Sequence, residues 1–420
     1  MIPPKTATGT DVSTETARGL LVDMVSTPSV SGDEEAAAER LAAFFDAHDR
    51  EVWLDDVGNV RAPADDAVLF TSHVDTVPGD VPVRLTANGE AAEGDAVAGN
   101  DSVAAPDEEL HLDDAATVQD AVLWGRGSVD ATGPLCAMAV AAVRTGCSFA
   151  GVVGEETDSR GARHLVETRE PPAALVNGEP SGVDGITLGY RGLVAGTYAA
   201  TTESTHASRP EPTAVQDAMA WWAAVESTCD ALPSPEDASG VDDPTPSEQS
   251  TFESVTTKPV AVEGGPADDG LAVEARVDFQ VRVPPGLSVE TVESTLASVT
   301  ADFAGGLELT DAIPPVMTSP RTSVARAFRV AIRAADSDPR LLRKTGTSDM
   351  NVFAAAWDRP MVTYGPGDSS LDHAPDEHLS LAAYDRSIAV LDAVGRRLVD
   401  AGQSNRPPIT DPSPTDSDPQ

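Results

Sequence analysis

Five short segments hold the residues whose types and spacing could do chemistry. They are SHVD (Ser72 to Asp75), GRGSVD (Gly125 to Asp130), GEE (Gly154 to Glu156), GEP (Gly178 to Pro180) and LDH (Leu371 to His373). Together they supply His73, Asp130, Glu156, Glu179 and His373. Zinc favours imidazole nitrogen and carboxylate oxygen at about 2.0–2.2 Å, so this set suits a pair of divalent ions, zinc or cobalt. Two ions about 3.5–4 Å apart need a shared ligand, ordinarily a carboxylate or hydroxide. Asp130 is the candidate bridge. His73 and Glu179 would serve one ion, Glu156 and His373 the other. Asp75 lies two residues past His73, on the same side of an extended chain. It could hold the His73 ring and fix its tautomer. Glu155 adjoins a ligand yet faces elsewhere. It could take a proton from attacking water and pass it to the leaving nitrogen.

These residues need elements that converge. Short apolar runs at Val68–Phe70, Phe149–Val153, Ala174–Val176 and Met361–Thr363 read as buried parallel strands of an α/β domain. His73 and Asp75 follow the first run, Glu155 and Glu156 the second, Glu179 the third. His373 follows the fourth through GPGDSSLDH. In open α/β sheets ligands gather beyond the carboxyl ends of strands, so four strands would deliver these side chains to one edge. Asp130 precedes a helix expected over Pro134 to Arg144. Helices are also expected over Thr16–Ser26 and Glu34–Ala47, the second capped by Ser31 or Asp33. A lone HxD or EE carries little weight in a chain with 69 acidic residues; the argument is the conjunction. His48, His111, His164 and His378 read as solvated or packed, and Met219, Trp221 and Trp222 as core.

At 420 residues two domains are expected. A catalytic domain spans 13–183, with an acidic, weakly periodic surface insertion at 86–119. The pattern strand–helix–strand–strand–helix over 184–303 suits a ferredoxin-like α+β unit, inserted because His373 lies beyond it. The catalytic domain resumes at 304–402, and 403–420 read as a disordered tail.

The 28 basic and 69 acidic residues leave a net charge of −41, with only three lysines. An acidic, lysine-poor chain fits a halophilic protein, because molar salt shortens the Debye length to about 3 Å and screens self-repulsion. No basic patch offers itself to nucleic acid. No secretion signal or membrane-length apolar run is visible, so a cytoplasmic protein is expected. Cys136, Cys147 and Cys229 form no CxxC pair and read as core fillers.

The order SHVDTVPGD, LWGRGSVDATG, VVGEETDSRGA, VNGEPSG and DHAPDEH resembles the zinc-dependent aminoacylase, desuccinylase and carboxypeptidase superfamily. The likeness covers roughly residues 15 to 400. It implies a dinuclear α/β catalytic domain with an inserted lid that forms a homodimer. It also implies His206, in STHASRP, as a lid histidine that polarises the scissile carbonyl, often from the partner subunit. GRGSVDATGPL, VNGEPSG, KTGTSDMNVFA and YGPGDSSLDHAPDEH resemble more narrowly the hydrolases that release lysine or ornithine from an amino-group carrier protein. Those enzymes cleave the amide between the carrier's C-terminal glutamate γ-carboxyl and the amino acid's α-amino group, in lysine and arginine biosynthesis. The chain departs from that family at Thr132, where lysine is usual, and in its acidic insertion. Thr347, Ser348 and Asp349 of the GTSDMN loop, with Arg191 and Arg321, are candidates to meet a substrate carboxylate. The alternatives are an acetylornithine deacetylase, a succinyl-diaminopimelate desuccinylase or a related peptidase. In another class stands a non-catalytic metal-dependent binding protein, against which the presence of both Asp75 and Glu155 argues.

Overall fold

The computed structural model describes residues 10–87, 109–116, 118, 121–206, 208–232 and 251–404. A nine-stranded mixed sheet forms the larger unit. At its centre run four neighbouring parallel strands, in the order Cys147–Val152, Asp65–His73, Leu175–Gly178 and Met361–Thr363. Each contains or abuts an expected apolar run. Their carboxyl ends are level, because His73 pairs with Val152 and Ser72 with Gly178. Gly178 must be glycine here: a Cβ would lie 2.6 Å from the Cβ of Ser72. The Ser72 hydroxyl also donates to the Gly178 carbonyl at 2.8 Å.

Helix Thr132–Thr145 is buried over nearly its whole length. Its small residues (Ala137, Ala139, Ala141 and Ala142) let it pack between the sheet and the helices Thr14–Val25 and Leu381–Ser404. Gly146 ends it in the left-handed conformation, φ 72°. Cys136, Cys147 and Cys229 are free and buried. Among the described residues no helix is long and apolar enough to cross a membrane.

The smaller unit is a four-stranded antiparallel sheet in the order Thr256–Pro266, Ala272–Val283, Gly192–Glu203, Gly306–Ile313. Helices Ala214–Asp230 and Val289–Thr300 pack on it. Trp221 stacks on Tyr198 with ring centroids 4.2 Å apart, so both are core. The expected limits of this unit, 184 and 303, both move. The chain changes sheet at Arg191: Gly185–Tyr190 joins the large sheet and Gly192–Glu203 the small one. Strand Gly306–Ile313, beyond the expected end, completes the small sheet.

The region read as a surface insertion at 86–119 is partly built into the fold. Strands Arg84–Ala87 and Glu109–Leu110 pair in a third sheet with Ala121–Trp124 and His378–Ser380. The tail expected to begin at 403 is still helical at Ser404; residues 88–108 and 405–420 lie outside the described residues. Neither Ser31 nor Asp33 caps the second helix, Glu35–Asp46, whose N-cap Glu34 makes no side-chain cap bond. Ser31 instead donates its hydroxyl to Asp75 Oδ2 at 2.7 Å.

Candidate metal centre

The level strand ends place His73, Glu156 and Glu179 at one edge, where Asp130 joins them from the loop before helix Thr132–Thr145 and His373 from the segment after strand Met361–Thr363. Asp130 stands between the imidazoles: Oδ1 is 3.2 Å from His73 Nε2 and Oδ2 is 3.2 Å from His373 Nε2. Glu179 Oε2 lies 3.8 Å from His73 Nε2, and Glu156 Oε1 lies 3.1 Å from His373 Nε2. Each imidazole thus has one carboxylate of its own and shares Asp130. Ligand atoms of His73, Asp130 and Glu156 all fall within 4.8 Å of one another. His373 reaches the cluster with φ 62°, a conformation uncommon outside glycine.

Burial opposes the His73 charge, yet the Asp130 hydrogen bond and the nearby Glu179 and Glu155 hold its pKa well above the ordinary value. Burial likewise opposes the Asp130 charge, and hydrogen bonds from His373 and His73 outweigh it, lowering that carboxyl. Burial raises Glu155 and Glu179 well above the usual carboxylate range, against the pull of His73, and raises Glu156 less strongly. Concentrated carboxylates made costly by burial call for cations. Two imidazole Nε2 atoms and several carboxylates fit divalent metal ions.

Asp75 does its holding differently from expectation. The His73 Nδ1 partner is the Asp75 backbone carbonyl at 2.8 Å, with the carboxylate 3.7 Å away. That carboxylate, fully buried, accepts instead from the backbone N–H groups of Glu155 and Glu156. The Glu155 carboxylate makes no hydrogen bond or ion pair among the described residues, which leaves both oxygens open to a proton.

The expected carboxylate-binding residues divide. Arg191 is a hinge brace: it donates to the carbonyls of Thr345 at 2.8 Å and Thr251 at 3.0 Å and to Thr256 Oγ1 at 2.9 Å. Ser348 caps helix Asp349–Ala356, and Asp349 is 1% exposed, with burial pushing its carboxyl up to about 6. A buried carboxyl is no partner for another carboxylate, so Ser348 and Asp349 build the loop, while Thr347 beside them is half-buried. Arg321 is exposed and His206 sits on the exposed end of the lid loop, its ring bonded to Ser208. No described contact joins either to the cluster.

Sequence reasoning missed Arg282, Asn351 and Glu377. Arg282 reaches Thr347 Oγ1 at 3.3 Å, and desolvation lowers its pKa. Burial first, and then the neighbouring Arg282 charge, lower Arg191 to about 10. Neither arginine forms an ion pair among the described residues, which is notable in a chain of net charge −41. That scarcity of partners is a signal only the structure supplies. Asn351 donates Nδ2 to the carbonyls of Arg191 and Pro314, tying together both connections to the smaller unit. Glu377 lies beneath the Asp130 loop.

The model of peptidase family M20/M25/M40 matches residues 69–397. A [LysW]-lysine hydrolase of Deinococcus radiodurans is 34% identical over 400 residues, covering 92% of this chain and 98% of that one. A putative [LysW]-lysine/[LysW]-ornithine hydrolase of Thermococcus kodakarensis is 30% identical, covering 90% of this chain and 91% of that one. Among solved structures, an M20 family metallo-carboxypeptidase of Sulfolobus solfataricus superposes with a TM-score of 0.68 at 17% identity, covering 91% of this chain and 99% of that one. Aminopeptidase PepT of Bacillus cereus gives 0.66 at 18% identity, covering 92% of this chain and 99% of that one.

Proposed function

The chain belongs to peptidase family M20/M25/M40 and is a metal-dependent hydrolase of linear amides, and from that premise we propose that it releases lysine, ornithine or both from the C-terminal glutamate of an amino-group carrier protein. The observation that carries this reading is the near end-to-end likeness to the Deinococcus hydrolase, 98% of whose length is covered.

In this reading His73 and Glu179 would hold one divalent cation and Glu156 and His373 the other, with Asp130 placed between the two imidazoles to serve both. Bound there, zinc or cobalt would supply Lewis acidity to the carbonyl and lower the pKa of water. Glu155, with no competing donor, accepts the proton of the attacking water. The water oxygen adds to the γ-carbonyl carbon of the carrier's glutamate. The C–N bond then breaks, and Glu155 returns the proton to the departing α-amino nitrogen. The products are the carrier's free γ-carboxylate and the free amino acid. His206, from the lid of the partner subunit, donates to the carbonyl oxygen as negative charge develops there. Arg282 and Thr347 offer a cationic place for the amino acid's α-carboxylate. A homodimer through the lid is supported by the open edge strand Thr256–Pro266, where Val260 is 53% and Val262 66% exposed. The acidic composition supports a halophilic, cytoplasmic enzyme.

The test is to incubate metal-loaded protein in molar salt with carrier-linked lysine, carrier-linked ornithine, acetylornithine and succinyl-diaminopimelate, and to measure amine release. Release from the carrier conjugates is expected. Release from the small acylated compounds alone would move the enzyme to the deacylase branch, and release from none would sink the hydrolase reading.

A further inference from the structure

Glu377 lies in the same segment as His373, and its side chain is fully buried. Its carboxylate is cradled by the loop that carries Asp130. Oε1 accepts from the backbone N–H of Val129 at 2.9 Å and of Asp130 itself at 3.0 Å. Oε2 accepts from the backbone N–H of Gly127 at 3.1 Å and from Arg126 Nη1 at 2.7 Å. The Glu377 carbonyl takes a further N–H from Gly125 at 3.2 Å. Successive N–H groups converging on one anion form a nest, a geometry that needs special backbone angles. Gly127 provides one at φ 80°, and a Cβ there would lie 2.7 Å from Thr76 Cγ2. The glycines of GRGSVD therefore have a local purpose: they wrap the loop around a carboxylate.

A buried Arg–Glu pair that serves architecture alone is the plainer account. The donor set argues for more. Three of the four groups bound to the carboxylate are backbone amides of one loop, and one of them belongs to Asp130. The chain that carries Glu377 also carries His373, whose Nε2 faces Asp130 Oδ2. One side chain thus fixes the backbone of the bridging residue against the segment that brings the second imidazole. Charge-assisted bonds of this kind are short and strong, and their removal leaves several buried N–H groups without a partner.

We propose that Glu377 is a positioning residue that sets the separation of the two metal positions by clamping the Asp130 loop to the His373 segment. The inference rests on the two-ion reading of the site. Outer residues that orient metal ligands typically change metal affinity by roughly 10–100-fold when replaced.

The experiment is calorimetric titration of the metal-stripped full chain with cobalt(II), for the wild type, Glu377→Gln and Glu377→Asp. Near-ultraviolet circular dichroism tests the fold, and electron paramagnetic resonance reads magnetic coupling between the two ions. Glu377→Gln turns an amide donor toward the nest. Its second ion should bind about 10–100-fold more weakly and the coupling should be lost. Glu377→Asp keeps two acceptors and should recover part of both. A folded Gln variant that takes up two coupled ions with wild-type affinity would overturn the inference alone. Fewer than two ions in the wild type would sink the metal-centre reading and this inference together. Failure of both variants to fold would overturn it in favour of a purely architectural role.

Discussion

The carboxylate of Asp75 holds Glu156 by its backbone, accepting that N–H at 3.1 Å, and holds the neighbouring Glu155 N–H at 3.0 Å. One buried side chain therefore sets the turn from which a metal-type ligand and a candidate base diverge. Asp75→Asn keeps the shape but turns one acceptor into a donor facing an N–H. Leaving that group unsatisfied should cost about 1–3 kcal/mol of stability and lower kcat by misplacing Glu155. The His73 Nδ1 bond to the Asp75 carbonyl survives the change. Metal content should therefore hold while turnover falls, which metal analysis beside steady-state kinetics will show. Loss of both ions would mean that the carboxylate acts chiefly on His73.

Glu155→Gln removes the proton acceptor without touching Asp130 or the four residues gathered around it. Two ions should still bind, the fold should be unchanged, and kcat should fall by about 10²–10⁴. Metal loss in this variant would show that Glu155 and Glu156 had been assigned the wrong way round.

Asn351 makes a clean case for the hinge. Its Nδ2 donates to Arg191 O at 3.1 Å and Pro314 O at 2.8 Å, while its Oδ1 accepts from Ser348 N at 3.0 Å. Asn351→Asp keeps the capping acceptor and points a carboxylate at two carbonyls. We expect a loss of at least about 2 kcal/mol and faster amide exchange at residues 190–192 and at Ile313 and Val316, with KM raised. Unchanged exchange at those residues would show that the two connections hold without it.

The strand-end site was legible because four short apolar runs were each followed by a metal-type residue, three within a few positions and His373 after a glycine-containing loop, and buried parallel strands can be read from such runs. The unit boundary was not legible. Apolar residues continue through Leu188 to Ala200, and nothing local marks Arg191 as the point where the chain changes sheet. Its four acceptors come from distant segments. Glu377 was hidden for another reason: among 69 acidic residues a glutamate carries no signal by type. The clue lay in GRGSVD, whose glycines imply a nest and hence an anion to fill it. Asp75 was half legible, since its nearness to His73 followed from extended geometry but its bonds to the following loop depended on tertiary placement.

A chain of net charge −41 should lose stability as salt is withdrawn. Between molar and 0.1 M salt the Debye length grows from about 3 to about 10 Å, so acidic groups on neighbouring elements begin to repel. Tm measured in potassium chloride should climb steadily toward molar concentrations, and the same screening should let an acidic carrier approach. A Tm indifferent to salt would remove the halophilic reading.

In the proposed centre, metal and proton would compete at His373. In the metal-free protein its hydrogen bond to Asp130, against burial and with help from Glu156, pushes the ring up to about 9 from an ordinary 6.5. A raised pKa means that the protonated ring stabilises the metal-free fold. That contribution is fully present below about 6.5 and is lost as pH rises through about 9. Cation binding needs the neutral ring and runs the other way, weakening as pH falls from about 9. His73 is raised as well and adds to the same trend. Because a ligand that binds only the folded state raises Tm by mass action, the gain in Tm on adding zinc should grow across this window while the Tm of chelator-treated protein declines. Titration in buffers of different ionisation enthalpy should show protons released on binding. A zinc-induced gain that stays constant with pH would mean that neither imidazole gives up a proton to the metal.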